Sequence, residues 1–315
     1  MRKLFVTWMA GCLATAVVAA PAKKETKPAT PKAAEKVEFV IVESGEYTAG
    51  QEDPRLTMGI AQFLGMEPVV TKMTQLEAAQ NPALANVDYS FLPLYLIKKT
   101  DAVRSKMEGH IKRGYVAELA EYIVVSHQTR TGVYTQKEGT KDQMEIFVMS
   151  QCPYGVMAEN AVIEAKKKGT FPKDKTVRIR YIVNYDPANG FSSLHGPAEW
   201  EEDVRQLLIA KYYPTKLWQY LAIRNKDYRS SRWDKAMEAA GISVSKISKK
   251  FDTEGLELLK QEAQYGREYK VNASPTFLWE GKVLLDFGSA SEIDGFSFLN
   301  PNAASGAKAA PAGSC

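Results

Sequence analysis

Hydrophobic positions along the chain fall into two blocks in which strand-like and helix-like periodicities alternate. A polar stretch at 136–142 (Gln-Lys-Glu-Gly-Thr-Lys-Asp) separates them. The first block, 37–135, opens on a short apolar strand, Val37 to Val42. The pattern then predicts a helix over Arg55 to Leu64, a strand over Pro68 to Thr71, and a buried strand over Phe91-Leu92-Pro93-Leu94-Tyr95-Leu96-Ile97. A final helix is expected over Val116 to Val125. Such an order belongs to a small α/β domain.

The second block, 143–299, repeats that order more clearly. Met144 to Met149 reads as a strand. From Pro153 to Lys168, Tyr154, Ala158, Ala161, Val162 and Ala165 share one helical face. Val177 to Val183 alternates apolar residues with Arg178 and Arg180, as a half-buried strand does. A helical region follows. Pro197 opens a helix whose apolar face is Trp200, Val204, Leu207 and Leu208. Pro214 opens another with Leu217, Trp218 and Leu221. Trp233 to Ala240 is a third, stopped by Gly241, and Thr253 caps a fourth running to about Tyr265. The block closes on a hairpin: Thr276 to Trp279, a Glu280-Gly281 turn, and Lys282 to Asp286. The shared element order marks the blocks as candidate divergent copies.

Both ends of the chain are of different character. Met1-Arg2-Lys3, an apolar stretch to Ala20 and the small residues Ala20-Pro21-Ala22 form a secretory signal pattern over 1–22. Met9-Ala10-Gly11-Cys12 loosely matches a lipoprotein box, so membrane anchoring is expected only if that segment is retained or Cys12 is lipidated. Residues 23–36 read as an exposed tether of Lys, Pro, Ala, Thr and Glu. Residues 300–315 are a flexible tail of Ala, Gly, Ser and Pro ending at Cys315.

Composition narrows the function. Hydrophobic content of 45% against 25% charged residues supports a packed core. The formal net charge of +4, nearer +2 without Arg2 and Lys3, is too small to imply nucleic acid as a partner. No G-x-x-x-x-G-K-[ST] phosphate loop occurs. His110, His127 and His195 lack paired metal-ligand spacing and read as surface or loop residues, so no metal and no cofactor are expected. Export implies an oxidising compartment, the periplasm or cell envelope. With Cys12 removed, two cysteines remain, Cys152 and Cys315, too few for a disulfide framework.

Cys152 carries the candidate chemistry. It stands in Met149-Ser150-Gln151-Cys152-Pro153-Tyr154-Gly155, between a strand and a helix whose first residue is Pro153. Proline suits that position because its missing N–H would have no intrahelical partner there. A thiol at a helix N-terminus meets the positive end of the helix dipole, which favours thiolate.

This cysteine, with Ser274-Pro275-Thr276 before the closing hairpin and a helical insert between, resembles the thioredoxin superfamily. The second block resembles DsbA-like domains, and the first a degenerate thioredoxin-like domain. The fold class this implies is α/β, with two thioredoxin-like domains in tandem, the second carrying a helical insertion. The resemblance implies a cis peptide bond at Pro275, beside the cysteine. It also implies that Ser274, Pro275 and Thr276, with Pro153, Tyr154 and Gly155, contact an extended polypeptide substrate. In the first block Pro93 stands where the matching proline would fall, but there is no cysteine, as in the inactive domains of tandem relatives.

Gly155 departs from the family. It occupies the place of the second cysteine in C-x-x-C, the thiol that resolves a mixed disulfide. Three chemistries stay open for Cys152: a monothiol cycle completed by an external thiol, resolution by Cys315, or a relic in a binding domain. A tail of about sixteen residues reaches roughly 20 Å, which gives Cys315 about millimolar effective concentration near the domain surface. The expected function is thiol–disulfide exchange or redox handling of polypeptide substrates through Cys152. Expected partners are polypeptide thiols or disulfides, or a redox partner protein. The competing expectation is a non-catalytic envelope module for binding or assembly.

Overall fold

The computed structural model describes residues 35–45, 47, 53–125, 131–300 and 315. The signal pattern, Cys12, His127, most of the N-terminal tether and most of the C-terminal tail lie outside them.

The first sheet is built around β1 (Lys36–Glu43), whose alternation sends successive side chains to opposite faces. Phe39 and Ile41 pack with Ala61 and Leu64 of α1 (Pro54–Leu64), and Val42 packs on the other face with Ala78 of α2 (Gln75–Ala79). β2 (Glu67–Thr74) runs parallel to β1, while β4 (Leu94–Lys98) is antiparallel to it. The apolar run at 91–97 is broken at Pro93: Phe91–Leu92 forms a separate strand, β3, and the Leu92–Pro93 peptide is cis.

Two features of this block depart from the sequence expectation. Asp101–Lys112 forms helix α3, capped by the Thr100 hydroxyl, which accepts from Val103 N at 3.2 Å. Its buried stripe is only Val103 and Met107, among charged neighbours. The helix expected over Val116 to Val125 is instead a hairpin of β5 (Ala117–Glu118) and β6 (Tyr122–Val125). Tyr122-Ile123-Val124-Val125 is aromatic and β-branched, and pairing with β4 buries Ile123, Val124 and Val125. The order is β2-β1-β4-β6-β5.

The second sheet has the order β3-β7-β13-β12-β8-β9. β7 (Gly132–Tyr134) pairs with both β3 and β13 (Val283–Leu285). Next to the β9 edge, β8 (Gln143–Val148) runs parallel to β9 (Thr176–Tyr181) and antiparallel to β12 (Thr276–Trp279). Helix α4 (Pro153–Lys168) joins β8 to β9 and ends at Gly169, whose φ of 69° turns the chain out of the helix. Met144, Ile146 and Val148 share a core with Ala158 and Val162 of α4, and Phe147 faces the opposite cluster. At the hairpin tip Glu280 and Gly281 have φ of 50° and 65°, a turn matched to strand twist.

Between β9 and β12 lie the short hairpin β10 (Asn184–Asp186) and β11 (Gly190–Ser192), then five helices: α5 (Pro197–Tyr212), α6 (Leu217–Arg224), α7 (Trp233–Ala239), α8 (Val244–Ser248) and α9 (Leu256–Glu268). Thr253 does not cap α9; it lies in a π-helical turn, Phe251–Gly255, that leads into it. A last helix, α10 (Phe287–Glu292), covers the end of the sheet. The protein is thus mixed α/β. Its β9-β8-β12-β13 core, with a helix after the first strand and a proline loop before the hairpin, has the arrangement expected of a thioredoxin-like domain. β2-β1-β4-β6 has the same sequence of parallel and antiparallel pairings. Among the described residues, no helix is long and apolar enough to cross a membrane.

Candidate functional site

Strand β8 delivers Met149 to Gln151 to the start of α4, and Cys152 is the N-cap residue. Its own N–H donates to Met149 O at 2.9 Å, and its carbonyl accepts from Val156 N at 3.0 Å, the first helical hydrogen bond. Its side chain caps nothing. It is bonded instead to Cys315, with a Cα–Cα separation of 6.1 Å.

Across the site lies the loop before β12, where the Ser274–Pro275 peptide is cis. Ser274 N donates to Cys315 O at 3.1 Å, and Cys315 N donates to Ser274 O at 2.9 Å. These reciprocal bonds are those of two residues in an antiparallel bridge. Cys315 therefore lies against Ser274 as a one-residue strand while its sulfur joins Cys152. The Cys152 sulfur, which carries no proton in the disulfide, lies 3.5 Å from the Ser274 carbonyl oxygen. The Thr276 hydroxyl donates to Ala273 O at 2.7 Å, closing the loop across Pro275. Cys152, Gly155, Ser274, Pro275 and Thr276 are buried, Tyr154 is half-buried, and Pro153 is exposed.

The structure gives a steric reason for Gly155. The Ser274 hydroxyl accepts from Met149 N at 3.0 Å and fills the space a side chain at 155 would need. A Cβ there would stand 2.7 Å from that oxygen and 3.2 Å from Met149 O. Ser274 and a second cysteine at 155 thus compete for one volume. Gly155→Cys alone is expected to destabilise by about 1–3 kcal/mol through overpacking. Combined with Ser274→Ala it should form a 152–155 disulfide and leave Cys315 free, although Met149 N then loses its acceptor. Denaturant unfolding and a thiol map of the two variants check this.

Beneath the 150–152 turn lies a polar network that the sequence pattern did not reveal. Glu199 of α5, fully buried, accepts from Gln151 N through Oε2 at 3.1 Å, and its carbonyl accepts from the Ser150 hydroxyl at 3.1 Å. The same Oε2 lies 2.6 Å from His195 Nδ1. His195, read as a surface or loop residue, lies in a turn and is tied through Glu199 to the residue preceding Cys152. The available signal was local: His195 and Glu199 stand four apart across a helix start opened by Pro197.

Farther along α5, Glu202 accepts from Tyr220 OH at 2.7 Å and Gln206 Nε2 at 3.0 Å, and pairs with Arg224. Glu159 of α4 accepts from Asn225 Nδ2 at 2.8 Å. Burial pushes the Glu159 carboxyl up to about 7, opposed by the Asn225 hydrogen bond and reinforced by Glu202. Burial also holds Asp203 well above the usual carboxylate range; Ser150 opposes that shift, and the neighbouring Glu199 and Glu202 add to it. The face of α5 read as Trp200, Val204, Leu207 and Leu208 is therefore only part of the buried surface: Val204 and Leu208 are buried beside Glu199, Glu202 and Asp203, whereas Trp200 and Leu207 are half-buried.

No protein-family model and no curated protein matches this chain. Solved DsbA-like thioredoxin-fold proteins match about half of it. The DsbA disulfide interchange protein of Klebsiella pneumoniae is 16% identical, over 56% of this chain and 93% of its own, with a TM-score of 0.35. A DsbA variant of Proteus mirabilis, solved with a non-covalently bound peptide, is 13% identical over 56% and 92%, with a TM-score of 0.39. BdbD of Bacillus subtilis, in its oxidised form, is 13% identical over 51% and 91%, with a TM-score of 0.40.

Proposed function

We propose that this chain is an exported thiol–disulfide oxidoreductase acting on polypeptide thiols, with Cys152 and Cys315 as its redox pair. The observation that carries the reading is the Cys152–Cys315 disulfide, seated by two backbone hydrogen bonds on the loop before the cis-proline. A pair of cysteines stores two electrons, so the second thiol absent at 155 is replaced by one contributed from the tail. In this reading 143–299 is the catalytic domain and 37–135 a cysteine-free tandem copy that acts as scaffold. Ser274 offers its backbone N–H and carbonyl to an extended substrate, as it does to Cys315. The signal pattern over 1–22 supports a periplasmic or envelope location.

The complete burial of Cys152 favours a second reading, in which the disulfide is a structural clasp in a binding or assembly module. Thiol reactivity separates the two. In reduced Cys315→Ser protein, alkylation of Cys152 should follow a pKa well below the unperturbed value of about 8.5, because the N-terminus of α4 stabilises the thiolate. A midpoint at 8.5 or above would exclude the oxidoreductase.

A further inference from the structure

The two sulfurs of the disulfide are not equivalent. Cys152 has no exposed surface, whereas Cys315 is half-buried. Whatever solvent reaches the bond reaches it through Cys315. A thiolate attacks a disulfide sulfur from the side opposite the leaving sulfur. For attack on Cys152 that approach runs through protein; for attack on Cys315 it starts outside the Cys152 pocket. The reciprocal hydrogen bonds to Ser274 fix the Cys315 backbone, so this difference is built into the site.

Leaving-group chemistry points the same way. Exchange is faster when the departing sulfur is the more stable thiolate. Cys152 is the N-cap of a sixteen-residue helix with no side chain capping its first turn, so a thiolate there faces free backbone N–H groups. Cys315 is not a helix N-cap; its backbone pairs with Ser274 instead.

Resting on the oxidoreductase reading, we infer that the substrate is first attached to Cys315 and that Cys152 is the leaving group. The incoming thiolate of a polypeptide dithiol attacks Cys315 Sγ. The Cys152–Cys315 bond breaks, the substrate–Cys315 bond forms, and the electron pair of the broken bond departs on Cys152. The second substrate thiolate then attacks the substrate sulfur of the mixed disulfide and expels Cys315 as thiolate. Two electrons pass from substrate to protein, and no outside oxidant takes part. This reverses one of the three chemistries the sequence left open, in which Cys152 carries the mixed disulfide and Cys315 resolves it. Cys315 would then be a catalytic residue that holds the substrate, released from Ser274 and from the Cys152 pocket.

The test uses oxidised full-length protein and glutathione as the probe thiol. The reaction is quenched with acid at times short against equilibration, digested with pepsin at low pH, and mapped by mass spectrometry. The expected result is glutathione on the Cys315 peptide and a free thiol on the Cys152 peptide, in at least tenfold excess over the reverse. Glutathione chiefly on Cys152, or equally on both, would overturn the inference and leave the oxidoreductase standing. An intact 152–315 cross-link that resists excess glutathione would overturn both.

Discussion

Oxidised wild-type protein is expected to convert one equivalent of a dithiol peptide to its disulfide, and the Cys152→Ser and Cys315→Ser variants none. The stoichiometry follows from a single stored pair, Cys152 and Cys315. Because only the first oxidising equivalent is counted, the experiment needs no knowledge of what reoxidises the protein. The one-equivalent conversion by the wild type separates a two-cysteine site from a monothiol site, since a lone free thiol stores no oxidising equivalent. Both variants should stay folded. Closing a 163-residue loop in the unfolded chain suggests stabilisation of up to about 5 kcal/mol. The folded chain, however, already brings residue 300 into the domain, so only a loop about tenfold shorter remains to be closed. By the logarithmic dependence on loop length, the difference is about 2 kcal/mol. Peptide oxidation in either variant above the blank would contradict the paired site.

The second large effect concerns pH and the buried face between α4 and α5. Glu159 shifts from 4.5 to about 7 on folding, chiefly by burial. A raised carboxyl makes the folded chain bind a proton the unfolded chain lacks between those values. Its contribution to stability is therefore fully present below about pH 4.5 and is lost as pH rises through about 7. The shift corresponds to roughly 3 kcal/mol between the two protonation states. Glu159→Gln keeps the acceptor for Asn225 and cannot ionise. At pH 4 the variant should match the wild type; at pH 8 it should be more stable by up to about 3 kcal/mol. Parallel pH profiles in denaturant unfolding would show that Glu159 is not buried and protonated as described.

Much of the architecture was legible because it rests on simple periodicities. The apolar runs of β1 and β8, the alternation of β9, the Pro153 helix start and the Glu280-Gly281 turn each name one local geometry, and each is found. What failed to show was structure whose driving force is not local. α3 buries a thin stripe under a charged surface. β6 owes its conformation to pairing with β4, and β5 to pairing with β6, so Val116 to Val125 read as a helix when taken alone. The apolar pattern of α5 showed Trp200, Val204, Leu207 and Leu208 but not its buried carboxylates, which are met by Gln206 of the same helix and by Tyr220, Arg224, Gln151 and His195 from outside it. Cys315 was within reach of Cys152 on chain length alone, but reach does not choose a partner. The choice depends on two backbone groups of Ser274 that composition and spacing cannot display.

The redox site depends on the pairing of Cys152 with Cys315. Its most direct test is a non-reducing peptide map of the freshly purified full-length protein, alkylated before digestion. The expected result is one cross-linked species joining the Cys152 and Cys315 peptides, with neither residue alkylated. Both thiols alkylated, or either joined to Cys12 or to a second chain, would contradict it.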